Sequence, residues 1–357
     1  MNAAAMAAEA AADTAADTAR ISESSPHPLP TPADQSFVAL GQPADLAVIL
    51  VNYNTGHLIE RCIAHLRAAS VGLRVRVIIV DNASRDASAE LVRERLPDCV
   101  LVANDTNVGF GRANNQVLPL CEAPYVLLLN VDAFVSPDAL AKCLRYMQAH
   151  PRCGVLGARL TNEAGTSTYA GRNFPAPWPK FKLQVGLQRT PLDPRHPDDA
   201  PAPPGGAWTC DWVVGCFYMV RREVLDQIGL FDPRYFLYFE EVDHCLRVTR
   251  SGWTVECLAD ARVLHVGGAS AESEGALTNG RQLSALQIES ELLYFRKHGG
   301  WPSLIATVVL AVAADAIQGL KWILKGRGFA GLATFWRNTA TTCRLALQTR
   351  FGTRATR

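Results

Sequence analysis

Four short apolar runs, broken only by Arg76 in the second, dominate the first part of the chain: Leu46–Val51, Val75–Val80, Val100–Val102 and Tyr125–Leu129, recurring every 25 to 30 residues. Runs this brief, with no polar alternation, are what parallel strands buried on both faces require. Amphipathic stretches lie between them. His57–Ala69 places Leu58, Cys62, Ile63 and Leu66 on one face of a helix. Asp86 is positioned to cap the helix carrying Leu91, Val92 and Arg95, and Ser136 followed by Pro137 opens another that extends to about His150. The alternation specifies an α/β fold built on a doubly wound, mostly parallel sheet.

Each run ends in polar residues: Asn52, Tyr53 and Asn54; then Asp81; then Asn107 to Asn114 with Gly109; then Asn130 and Asp132. Ligands of open parallel sheets bind beyond the carboxyl ends of the strands, where strand order reverses, so these residues are expected to converge on one crevice. At such a place the Asp81 carboxylate can accept from the imide N–H of a pyrimidine; a turn or helix-capping role is the alternative. The Gly109–Gly111 pair lacks a third glycine and does not follow the first strand, which excludes a dinucleotide redox loop. A hard cation such as Mg2+ or Mn2+ takes one or two carboxylates together with phosphate oxygens, a role open to Asp132. His265 ends another apolar run and offers a second ligand, or is a structural histidine. Glu240, Glu241 and Asp243 begin a helix, where free N–H groups favour negative charge. Crowding by its neighbours raises one such carboxylate toward the proton affinity of a general base. A cation on the leaving side and a base on the attacking side describe transfer of a group off a phosphate.

The 357 residues have room for a large α/β domain, and a net charge of +1 supplies no whole-chain electrostatic footprint for nucleic acid. Ten cysteines without a C-x-x-C spacing exclude a zinc ribbon or redox motif and fit reduced thiols in a cytosolic protein. Residues 1–43, rich in Ala and then in Ser and Pro, are expected to be a disordered tail; Glu9, Asp13 and Asp17 stand where a signal peptide needs basic residues. Residues 44–300 form the expected catalytic domain. Within it Thr161–Ala207 is irregular, with six prolines between Pro191 and Pro204, before Trp212–Val220 returns to strand and Arg222–Ile228 and Glu240–Ser251 to helix. In 301–357, Ser303–Ala314 is free of charge, and after Asp315 there is no Asp or Glu while Lys321, Lys325, Arg327, Arg337, Arg344, Arg350, Arg354 and Arg357 follow. Trp301–Leu324 barely reaches the roughly 20 residues of a span. Interfacial or re-entrant helices with a basic tail, attracted to anionic lipid, are expected there; an amphipathic helix packed on the core is the alternative.

Taken in order, Val51–Asn54, Val80–Ser84, Asn107–Asn114, Leu129–Asp132, Gly229–Asp232, Phe236–Asp243 and His265–Ser270 resemble the motifs of inverting family 2 glycosyltransferases of GT-A fold, and within them the rhamnosyltransferase-like members, over about residues 46–298. The resemblance implies that Asp81 reads the pyrimidine and that Asn52, Tyr53, Asn54, Asn107, Gly109, Asn114 and Asn130 surround the nucleotide sugar. It implies Asp132 and His265 as ligands of Mg2+ or Mn2+, and Glu241 as base with Glu240 and Asp243 left open. Trp212 and Gly215, with Phe236 and Tyr238, fall on the acceptor side, although Trp212 and Phe236 are equally at home as core aromatics. Asn130 stands where the family often has the first acid of Asp-x-Asp, and Glu241 where it often has Asp. The implied partners are a dTDP- or UDP-sugar, with rhamnose favoured, and a glycan or lipid-linked acceptor of cell-surface polysaccharide synthesis at the inner face of the cell membrane, with peripheral membrane contact through the C-terminus. Two other readings compete: a catalytically inactive, nucleotide-binding scaffold homologue in a polysaccharide assembly complex, and a nucleotidyltransferase. The latter needs a glycine-rich, basic phosphate loop after the first strand, which Asn52–Gly56 is not.

Overall fold

The run Leu46–Asn52 is β1, buried along its length except at the half-buried Val51. It lies between two parallel neighbours, β2 (Val75–Asp81) and β4 (Tyr125–Asn130), with β3 (Val100–Ala103) parallel outside β2. The computed structural model describes residues 37–168, 170–187, 206–267, 281–326 and 330–357. Beyond β4 the sheet continues through β11 (Phe217–Arg221), β6 (Cys153–Thr161), β12 (Thr254–His265) and β5 (Ala133–Val135). β11 runs antiparallel to both β4 and β6, and β5 antiparallel to β12, while β6 and β12 are parallel. The sheet is thus mostly parallel, as expected, with a reversed strand between its halves. Short strands β7 (Ser167–Thr168) and β9 (Ala207–Thr209) pair with β6 and β12, and β8 (Gly171–Arg172) pairs separately with β10 (Trp212–Val213).

Helices α1 (Gly56–Ala69), α2 (Ser88–Arg95), α3 (Phe110–Val117) and α4 (Ala139–Ala149) connect the first strands. α1 buries Ile59, Cys62, Ile63 and Leu66, the three- and four-residue spacing of one helical face. Each buried aliphatic chain of this size contributes about 2 kcal/mol by its removal from water. α5 (Pro177–Gln184), α6 (Arg222–Ile228), α7 (Glu240–Arg250), α8 (Arg281–Leu324) and α9 (Ala330–Gln348) complete the described helices. All ten cysteines are free thiols, nine of them buried.

Several local expectations are corrected. Residues 37–43, assigned to the tail, belong to the folded unit: Phe37 is buried, its N–H donates to Asp98, and Arg67 stacks over its ring. Residues 1–36 lie outside the described residues, as do 188–205 with the proline-rich excursion. Thr161–Ala207 contains β7, β8 and α5 rather than irregular chain alone. α4 begins at Ala139, because Ser136 uses its hydroxyl on Asp138 and its carbonyl to accept the Ala139 N–H. Asp86 serves two helices: one oxygen accepts the Ser88 N–H and the other the Gly56 N–H at the start of α1. The expected strand Trp212–Val220 breaks at residues 214–216, which separate β10 from β11.

A helix boundary falls at 300: α8 is two helices that meet at a kink at Gly300, whose φ of +65° is left-handed backbone that glycine alone adopts without strain. Pro302, lacking an N–H, sits in the first turn after the bend, where no helical hydrogen bond is lost. The segment before the bend is locked to α7. Lys297 reaches Asp232 at 2.8 Å and Asp243 at 2.6 Å, His298 reaches Asp243 at 2.7 Å, and the Arg247 guanidinium donates to Asp243 at 2.9 Å. Burial alone would raise the Asp243 pKa, but hydrogen bonds from His298 and Lys297 outweigh it and hold the group at about 2. Its contribution is therefore present above the ordinary carboxylate value and lost as pH falls toward 2. Removing one partner of a buried ion pair leaves the others uncompensated, at about 3–5 kcal/mol. Asp243→Asn is expected to lower unfolding free energy by about 3 kcal/mol in urea titration at pH 7, with a smaller loss in acid.

Candidate active site

The carboxyl ends of β1, β2 and β4 are level, with Asn52 paired to Asp81 and Val51 to Asn130. The strand order reverses between β1 and β4, so the crevice opens where the polar residues gather. The structure brings Asn52, Asp81 and Asn130 together there. It also shows what each side chain already does. Asn52 is fully buried; its amide donates to Asp81 at 2.9 Å and to the Ser84 hydroxyl, and its oxygen accepts from Thr55. Asp81 accepts in addition from the Ser84 N–H. The Asn54 oxygen accepts from the Arg85 N–H. Asn54 and Ala83 both hold left-handed backbone, so the loops after β1 and β2 are clamped to each other. Tyr53 is half-buried at the same edge. Asn52 and Asn54 therefore shape the crevice around Asp81.

The loop before α3 is built the same way. The Asn107 oxygen accepts from the Asn82 amide and the Gly109 N–H, and the Asn82 oxygen accepts from Asn104 and from the Val108 N–H. Gly109 has φ +88°, and a Cβ there would lie 2.5 Å from the Phe236 carbonyl. Glycine is required by close approach of the 236–239 turn, and the Phe110 N–H seals that approach on the same carbonyl at 2.8 Å. Asn114 lies inside α3, its amide bonded to the Phe110 carbonyl and its oxygen buried without a partner.

That turn leads into α7 through Tyr238 and Phe239, both in left-handed backbone at φ +69° and +68°. Non-glycine residues there cost of order 1–3 kcal/mol each and persist only where surroundings impose them. The Ser290 hydroxyl on the Leu237 carbonyl and the Phe239–Tyr294 ring contact do so. The result presents Glu240 and Glu241 at the first turn of α7. Glu240 is buried and Glu241 half-buried, and each has a carboxylate oxygen without solvent or hydrogen-bond partner. Burial raises both proton affinities, the Glu241 charge raises that of Glu240 further, and Glu241, held back by backbone N–H groups and Arg172, comes to about 7. Asp243, two residues on and about 200° around the helix, faces α8 with its carboxylate fully engaged. The three acids are therefore not equivalent.

Asp132 and His265 meet at 3.4 Å, Oδ1 to Nε2, where the chain leaves β4 and β12; the Val266 N–H bonds the Asp132 carbonyl. Burial lowers the histidine's proton affinity, but bonds to Asp132 and Cys216 outweigh it and raise the pKa to about 10. The imidazole therefore holds a proton against Asp132, one that a bound cation would displace. Among the described residues no three His, Cys, Asp or Glu side chains converge as a complete metal cage. An oxygen and an imidazole nitrogen suit a hard divalent ion completed by phosphate oxygens and water. Gly268 and Ser270 of the same motif lie outside the described residues.

Residues 214–216, which break the expected strand, join these two halves. The Cys216 side chain bonds His265 and its carbonyl accepts the Asn130 N–H, while a Cβ on Gly215 would lie 3.9 Å from the Glu241 side chain. Trp212 is half-buried, donates to the Asn173 carbonyl, and is registered opposite Arg172, whose guanidinium sits 5.5 Å over its ring. Arg172 also opposes the rise in the Glu241 pKa. Neither Arg172 nor Cys216 was indicated by sequence. A two-residue strand has no period to read, and a thiol facing a histidine across strands has no spacing.

A family model described as glycosyl transferase family 2 matches residues 47–229. An N-acetylglucosaminyl-diphospho-decaprenol L-rhamnosyltransferase of Mycobacterium tuberculosis is 27% identical over 279 residues, covering 72% of this chain and 86% of that one. The rhamnosyltransferase WbbL of Escherichia coli K12 is 24% identical over 168 residues, 44% of this chain and 60% of that one. Among solved structures, the mannosyltransferase PcManGT of Pyrobaculum calidifontis, in complex with GDP-Man and Mn2+, superposes with a TM-score of 0.51 at 17% identity, covering 90% of each chain. That likeness shows the GT-A fold. With this sheet, this crevice and a family match over half its length, the chain belongs to glycosyl transferase family 2 and is a glycosyltransferase.

Proposed function

We propose that the protein transfers a sugar, rhamnose, with inversion from a dTDP- or UDP-sugar to a lipid-linked glycan of cell-surface polysaccharide synthesis at the inner face of the cell membrane. The observation that supports the reading is the short link of Gly215 and Cys216: a Cβ on the first would lie 3.9 Å from the Glu241 side chain, whose Oε2 has no partner, and the second acts on His265. The rhamnosyl donor is supported by the names of the mycobacterial and Escherichia coli relatives, and the diphospho-lipid acceptor by that of the mycobacterial one.

Asp132 and His265 would hold Mg2+ or Mn2+; when bound, the ion supplies positive charge against the diphosphate as it departs. Asp81 accepts from the imide N–H of the pyrimidine, in a position fixed by Asn52 and Ser84. Tyr53, Asn107, Gly109, Asn114 and Asn130 shape the walls of the donor site. Glu241 takes the proton from the acceptor hydroxyl while that oxygen bonds to the anomeric carbon and the nucleoside diphosphate leaves from the opposite face. Alignment of base, acceptor and leaving group contributes the orientation term. Glu240 is the second-placed base, less open to the crevice; Asp243 holds the helix. Arg172 and Trp212 flank the acceptor.

Glu241→Gln is expected to bind nucleotide sugar within about twofold of wild type and to transfer about 10²–10⁴-fold more slowly; turnover near wild type, measured by nucleotide release with acceptor present, removes Glu241 as base. Melting-temperature shifts with Mn2+ and dTDP- or UDP-sugars identify the donor, since a ligand of the folded state alone raises the transition.

The base must be ionised to act, so transfer is expected to rise with pH through about 7. Stability moves the other way. The folded pKa lies above the ordinary value of 4.5, so the folded state holds the extra proton and loses stability as pH rises from 4.5 to about 7. Denaturation at several pH values is expected to show a smaller loss across that window in Glu241→Gln.

A further inference from the structure

The outward face of α8 beyond its bend is apolar. Trp301, Ile305, Val309, Leu320, Ile323 and Leu324 are all exposed, Leu324 at 76%, and their spacing puts them on one side of the helix. The other sides are half-covered, with Leu304, Thr307 and Ala314 buried. Gln318 and Lys321 donate to the carbonyls of Gln184 and Val185 at the end of α5, and Asp315 accepts from Thr339 of α9. A helix at a water surface shows the reverse pattern, with its polar side outward. α9 repeats the arrangement: Trp336, Ala340, Cys343 and Leu347 form an exposed stripe that continues to Phe351, with Trp336 at 69% exposure, while Thr342, Leu345, Ala346 and Thr349 face inward. Phe351 meets Trp301 with ring centroids 5.5 Å apart, so the two apolar stripes join at that end.

Charge identifies the occupant. Arg337, Arg344 and Arg350 flank the α9 stripe, and Lys325 follows α8, all exposed; after Asp315 the chain has no acid. A second copy packed face to face would set arginine against arginine, which disfavours a symmetric dimer. Anionic lipid headgroups complement the same residues, and apolar side chains rimmed by Arg and Trp suit the headgroup–acyl boundary. α8 is apolar and long enough to cross a bilayer by length and composition, yet its partner argues against crossing. α9 lies alongside with Thr339 on Asp315, so a spanning α8 would draw Asp315, Arg337 and Arg344 into hydrocarbon. Each such charge carries a substantial insertion penalty at mid-bilayer.

We propose that α8 beyond Gly300 and α9 lie in the plane of an anionic bilayer surface, inserting the Trp301–Leu324 and Trp336–Phe351 stripes without spanning. The purpose of the contact rests on the lipid-linked acceptor proposed above: α5, bonded to this platform, follows Arg172 in the chain by five residues, so the reacting sugar is met at the bilayer surface. The test is sedimentation of the purified full chain with vesicles of phosphatidylcholine alone or mixed with phosphatidylglycerol. Wild type should co-sediment with the mixed vesicles, less so at high salt. Arg337→Gln with Arg344→Gln should weaken that partition by about tenfold or more. Trp336→Ser with Leu347→Ser should weaken it as well, both pairs keeping the wild-type melting temperature. Wild type that ignores mixed vesicles overturns the proposal, as does a solution dimer that Trp336→Ser with Leu347→Ser dissociates, or a protein that alkaline carbonate fails to strip from vesicles. No donor or acceptor enters this assay. Vesicle binding together with transfer only to water-soluble acceptors would refute the lipid-linked reading and leave the docking surface standing.

Discussion

The Asp243 carboxylate, shut away from water, is where α7 is fastened to the rest of the molecule. Arg247, Lys297 and His298 all converge on it, and Tyr235 donates to it. Two unfavourable features sit one turn away: consecutive left-handed residues at 238 and 239, and two adjacent acids with unpartnered oxygens. Neither would persist on a helix free to shift. A buried cluster with several donors around one anion tolerates little displacement, because moving any member strands the others. The strain and the crowding are thus held at α7 by an ionic knot on its opposite side, and a carboxylate of high proton affinity is the outcome.

The sheet was legible because β1, β2 and β4 are buried on both faces, although β3, at the edge, is only half-buried. Continuous apolar runs admit few other placements, and the polar residues ending them mark the crevice by position alone. What the polar residues do there was less legible. Asn52, Asn54 and Asn107 spend their amides on neighbouring loops, and Gly109 yields to the Phe236 carbonyl. These are tertiary matters that no local spacing encodes. The same holds for Arg76 and Arg221, wholly or largely buried and bonded to carbonyls of distant segments: Leu120 and Ala39 for the first, Cys153 and His150 for the second. Charged residues inside strands read as exposed positions until the carbonyls that receive them are known.

The acidic trio shows where more was available in the sequence. Glu241 and Asp243 differ by about 200° on a helix, so both could not face one crevice, and the apolar neighbours Val242 and Cys245 mark the buried side. Composition alone treated the three acids as interchangeable. Helical phase separates them. The antiparallel β11 is the opposite case: its apolar content matches a parallel strand, and only its pairing with β4 and β6 reveals its direction.

The bend at Gly300 has a geometric corollary. Before it, α8 is pinned to α7 through Lys297 and His298; after it, the helix is pinned to α5 and α9. Both sets of fastenings are satisfied at one helical phase. Inserting or deleting a residue between Ser290 and Gly300 would turn the distal helix by about 100° relative to α7 and shift it by about 1.5 Å. Chain length in that segment is therefore as constrained as any side chain, and substitutions should be admitted there far more readily than indels.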